Sequence, residues 1–102
     1  MGGDDAELLI SVSKDFGETY AEVKAWNVPP SDRYPDGLKY SMQYGSRDDG
    51  TRFRYDNFPD HPGATMHHKH TVDGDTEDIE FHGLEALFDR FKREVRTHGE
   101  TW

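Results

Sequence analysis

Residues Leu38–Asp56 read LKYSMQYGSRDDGTRFRYD, and the alternation inside this stretch decides the fold. Leu38, Tyr40, Met42 and Tyr44 are large and mostly apolar, while Lys39, Ser41 and Gln43 between them are polar. Phe53 and Tyr55 repeat the pattern with Arg52 and Arg54 as the polar partners. A period of two belongs to a strand with one face buried, so the stretch predicts two strands, Leu38–Tyr44 and Thr51–Asp56. The GSRDDG segment between them is rich in turn formers and predicts a hairpin.

Working outward, Thr19–Val28 alternates Thr19, Ala21, Val23 and Ala25 against Tyr20, Glu22, Lys24 and Trp26, another strand. Before it, Ala6–Val12 predicts a short strand with Leu8, Ile10 and Val12 on one face, joined to its neighbour through SKDFG. PPSDRYPDG is a loop too long for a tight hairpin. Met66–Val72 predicts a further strand, followed by the acidic turn DGDTED. In Gly83–Thr97 the period changes: Leu84, Leu87, Phe88, Phe91 and Val95 form one apolar stripe of a helix, opposite Glu85, Asp89, Arg93 and Arg96. Gly99 stands where a C-terminal cap belongs.

The expected fold class is therefore α+β: a curved antiparallel sheet of four to five strands, with one C-terminal helix packed on one face. At 102 residues and 32% apolar content, residues 1–102 form a single domain with one modest core. Residues 1–5 and 99–102 are expected to fray. There is no Cys, which excludes disulfides and thiolate zinc sites. No apolar run is long enough for a membrane span or signal peptide, so the expected location is cytoplasmic, with no membrane partner.

The chain carries 21 acidic and 12 basic residues, a net charge of −9. An Asp-rich, Lys-poor acidic surface is how proteins from high-salt cytoplasm look, where screening makes such self-repulsion tolerable. The charge is unevenly spread. From Leu38 to Val72 the sum is +1, and the remaining residues sum to −10. The middle of the chain has been spared acidification. It holds four of the six histidines, in HHKH (67–70) and at His61.

If the strand phases hold, the helix covers Tyr40, Met42, Phe53 and Tyr55. The opposite face then carries Lys39, Ser41 and Gln43 beside Arg52 and Arg54, with Lys24 and Tyr20 near. Antiparallel sheets commonly leave one such face wet. That does not explain cations retained within so acidic a chain, so the face is read as a contact surface for phosphate or RNA. Alternation places His68 and His70 on one side of their strand and His67 and Lys69 on the other. An H-x-H pair can hold a transition metal with a third ligand from the preceding loop, such as His61 or Asp60. Alternatively, histidine beside Arg and Lys serves as general acid or base in phosphodiester cleavage, since its ionisation lies near working pH. Exposed histidines without chemistry are the plain alternative. Asp56 and Asn57 are ordinary turn formers, and Asp56 is also placed to orient a histidine or pair with Arg54.

The stretch "DGLKYSMQYGSRDDGTRFRYDNFPDHPGATMHHKH", followed by an acidic spacer and "LEALFDRFKREV", resembles the TumE family of toxin–antitoxin systems, over roughly Ala6–Gly99. The resemblance rests on a strand ending in RYDN, a Pro- and His-bearing loop, an H-H-x-H run and a C-terminal helix. It implies the toxin of a two-gene type II module whose partner is an antitoxin, in haloarchaea commonly a winged-helix DNA-binding protein. A homodimer is left open.

The expected function is that of a toxin acting on RNA as a small metal-independent endoribonuclease, with no cofactor and no metal. The alternative is a non-catalytic binding module, or a metal-binding protein, whose basic face docks the antitoxin. The expected catalytic residues are His67, His68, His70, Arg54 and Asp56. The expected substrate contacts are Lys39, Arg52, Lys69, Tyr55 and Asn57. Nucleotide transfer ranks low, as no glycine–serine nucleotide motif with paired carboxylates occurs.

Overall fold

The structure is a computed structural model that describes residues 6–31, 34, 37–57 and 67–102. The chain runs β1 (Glu7–Asp15), β2 (Thr19–Asn27), β3 (Leu38–Ser46), β4 (Gly50–Asp56), β5 (His68–Thr71), β6 (Thr76–Asp78) and α1 (Leu84–Thr97). The strands form one antiparallel sheet in the order β1-β2-β3-β4-β5-β6, each paired with its neighbour in sequence. The expected class is therefore observed, with six strands rather than four to five. The additional strand is β6, which lies inside the expected acidic turn. Gly74 at φ 86° and the Thr71–Asp75 backbone bond of 2.9 Å reverse the chain, and Thr76–Asp78 then pairs back on β5. Its three side chains are all exposed, so no apolar alternation announces it.

The phases of β2, β3 and β4 follow the alternation. Ala21, Val23, Ala25, Tyr40, Met42, Tyr44, Phe53 and Tyr55 are buried, and so are Leu87, Phe91 and Val95 of α1. These residues form one core between a sheet face and a helix stripe. Burial of each large member contributes roughly 1.5–3 kcal/mol. Phe91 meets both Phe53 and Tyr55 edge to face, with ring centroids 5.5 and 5.7 Å apart. The helix ends as anticipated: Gly99 has φ 94° and its N–H donates to the Arg96 carbonyl at 3.0 Å.

Two details depart from the sequence reading. In β1, Ile10 pairs with Ala25 and shares its face, but a bulge between Leu8 and Ile10 sets Leu8 opposite Trp26. Leu8 therefore leaves the face of Ile10 and Val12 and is 55% exposed. At the other end, the chain beyond α1 turns back on the core. Trp102 packs its ring against Phe16, Phe88 and Phe91. Glu100 accepts hydrogen bonds from the hydroxyls of Tyr44 and Thr19, and its carboxyl is held below the usual range by them. Residues 1–5 lie outside the described residues.

The register of the central strands is pinned by Asn57, which is buried just beyond β4. Its amide accepts from the Tyr40 N–H at 3.0 Å and donates to the Leu38 carbonyl at 2.6 Å. Asn57→Ala leaves both backbone groups without these partners and is expected to destabilise the fold by about 2–4 kcal/mol. Urea unfolding with an unchanged m-value measures this. Trp102→Ala is expected to cost about 2 kcal/mol in the same assay, since it uncovers one end of the core.

Candidate functional site

Strand alternation places Arg54 and Asp56 on one face of β4, and His68 and His70 on one face of β5. The β4–β5 register then sets Asp56 opposite His68 and Arg54 opposite His70. Directly opposed residues in an antiparallel pair share a face, so the four side chains meet on the side of the sheet that α1 does not cover.

The Asp56 carboxylate is the centre of this group. Its Oδ2 lies 2.8 Å from Arg54 Nε, and its Oδ1 lies 2.7 Å from His68 Nε2 and 3.5 Å from His70 Nε2. The two imidazoles stand edge to face with centroids 4.7 Å apart. Asp56 and His68 are buried, whereas the side chains of His70 and Arg54 remain 21% and 37% exposed. Both oxygens of this buried carboxylate have close nitrogen neighbours, and of the four side chains His70 and Arg54 open toward solvent.

The other expected site residues divide by face. Lys39 is exposed, and its ammonium lies 5.5 Å from the centre of the Trp26 ring, which borders the same face. It sits two positions along β3 from Ser41, which pairs with Asp56. Arg52 falls at the register shift between Tyr44 and Gly45, exposed and 3.8 Å from Asp49. Lys69 and Tyr55 pair across β4 and β5 toward the helix, where both bind Glu94: Lys69 Nζ at 2.5 Å, and the Tyr55 hydroxyl as donor to the other oxygen. His67 stacks on Phe81 at 4.2 Å and 4°, and its Nδ1 lies 2.8 Å from the Tyr40 hydroxyl. Asn57 serves the backbone of β3. Thus Arg54, Asp56, His68 and His70 come together with Lys39 nearby, while His67, Lys69, Tyr55 and Asn57 are engaged elsewhere. His61 and Asp60 lie outside the described residues. Trp26 lies on this face as well, as its place opposite to Ala25 in the alternation of β2 indicates.

The arrangement can bind an anion at Arg54 and move a proton at the Asp56–histidine cluster. It is a histidine-bearing patch on an open sheet face, with the Arg54 guanidinium and the His70 ring partly exposed. A family model described as Toxin TumE matches residues 5–98, and the chain belongs to this toxin family. It is accordingly the toxin component of a toxin–antitoxin pair and has an antitoxin partner. No curated protein and no solved structure gave a match. Among the described residues no helix is long and apolar enough to cross a membrane.

Three tyrosines around the core respond to burial. Desolvation pushes the phenols of Tyr40, Tyr44 and Tyr55 up, reinforced by the Asp56 charge at Tyr40, by Glu100 at Tyr44 and by Glu94 at Tyr55. Unfolded chains release these protons near pH 10, before the folded protein does. Stability from this source is therefore complete below about pH 10 and is lost as pH rises above it. An absorbance titration at 295 nm is expected to show these three tyrosines ionising late, together with alkaline unfolding.

Proposed function

We propose that this toxin acts on RNA as a small endoribonuclease, working at the patch of Arg54, Asp56, His68 and His70. The observation that carries the reading is the convergence of two imidazoles and a guanidinium on the Asp56 carboxylate, on the helix-free face of an otherwise acidic chain. Phosphate binding needs concentrated cations, and this part of the chain has kept them. Lys39 and Trp26 extend the patch along the sheet, one toward a neighbouring phosphate and the other as a stacking platform for a base.

The reaction that fits is transesterification. The 2′-hydroxyl attacks the adjacent phosphorus, the P–O5′ bond breaks, and a 2′,3′-cyclic phosphate and a 5′-hydroxyl result. The 2′ proton leaves to the Asp56–histidine cluster and a proton is returned to the departing O5′. Arg54 stabilises the charge that grows on the non-bridging oxygens. His68 is buried, so it positions its neighbours, and His70 is the member that reaches substrate. The antitoxin is proposed to be a winged-helix DNA-binding protein, in keeping with the salt-adapted composition and the family resemblance.

The test uses purified protein at high salt, with a labelled RNA and the same sequence in DNA. RNA is expected to be cut to cyclic-phosphate ends and DNA left whole. His70→Ala and Arg54→Ala are each expected to slow cleavage by about 100-fold or more. If both variants retain full cleavage and growth arrest, the patch is not the site of action.

A further inference from the structure

We infer that Asp56, His68 and His70 form a binding site for one divalent transition-metal ion, with Arg54 holding the coordinating carboxylate from behind. The inference deepens the reading of this patch but stands on geometry alone, whatever the patch acts on. Two imidazole nitrogens and one carboxylate oxygen are the donor set of a two-histidine, one-carboxylate site, which suits Zn²⁺, Fe²⁺, Co²⁺ or Ni²⁺ and leaves positions free for water or substrate. One ligand atom from each of the three residues lies within 4.8 Å of the others.

Around a single ion, ligands at about 2.0–2.2 Å stand roughly 3.0–3.5 Å from one another. The 3.5 Å between His70 Nε2 and Asp56 Oδ1 meets this as it stands. The 2.7 Å between His68 Nε2 and Asp56 Oδ1 must widen by less than about 1 Å, within the reach of a side-chain rotation. The division of the carboxylate is consistent with the same role. Oδ1 faces both imidazoles, and Oδ2 is fixed by Arg54 Nε at 2.8 Å. An outer contact of that kind orients a ligand without competing for the metal. The burial of Asp56 and His68 supplies a dry wall, and the partial exposure of His70 leaves an approach for substrate. With an ion in place, the hydroxide formed from its bound water would be the proton acceptor, and the histidines would serve as its ligands.

The carboxylate also differs from the one a linear motif would suggest. Among the described residues the H-x-H pair finds a third donor across the sheet, in Asp56.

The experiment uses the full chain without a histidine tag, stripped with chelator and titrated with Co²⁺ and Zn²⁺. Co²⁺ is read by its visible absorption and Zn²⁺ by calorimetry. One ion per chain is expected. Asp56→Asn and His70→Ala are expected to weaken it by more than the about 10–100-fold that loss of an outer contact costs, and Arg54→Gln by about that amount. His82→Ala, at an exposed histidine beside Glu80, is expected to change nothing. Circular dichroism confirms that each variant is folded. No ion bound by the wild-type chain, or equal binding in the folded Asp56→Asn and His70→Ala variants, overturns the inference. RNA cleavage that persists in chelator with no ion bound would leave the nuclease standing without the metal. Ion binding with no cleavage would do the reverse.

Discussion

Asn57 decides which side chains meet in this protein. By bonding the N–H of Tyr40 and the carbonyl of Leu38, it ties the end of β4 to the beginning of β3. A strand that slips by one residue sends every side chain to the other face. With this register, Met42 faces Tyr55 toward the helix and Ser41 faces Asp56 away from it. The next pairing sets His68 against Asp56 and His70 against Arg54. Core and patch are thus two sides of one alignment, and neither could be shifted without losing the other.

Much of the fold could be read from period alone, because β2, β3, β4 and α1 each bury one face and expose the other. The features that escaped are those with no such contrast. β6 is three residues long and wholly exposed, and β1 breaks its own alternation at a bulge. Trp102 follows the helix cap, where sequence alone does not show whether a residue returns to the core or drifts away. The site was legible in a similar measure. Alternation joined His68 to His70 and separated both from His67 and Lys69. It also turned Tyr55 inward, to the side of the helix. What it could not supply was the pairing of β4 with β5. That pairing brings Asp56 to the histidines across a connection whose length sets no register.

The electrostatics follow from the same geometry. Arg54 and the two histidines surround a carboxylate that burial would otherwise penalise. Lys69 has the corresponding position on the covered side, where Glu94 of α1 takes it together with the Tyr55 hydroxyl. Adjacent residues of β5 therefore answer to different parts of the molecule, one to the helix and the others to the open face.

Among the described residues the helix follows all six strands. A ribosome therefore finishes the sheet while Tyr40, Met42, Phe53 and Tyr55 still lack the residues that will cover them. Leu87, Phe91 and Val95 arrive only when α1 emerges. Until then the nascent chain presents a bare apolar surface, and a product cut short before α1 would be prone to aggregate.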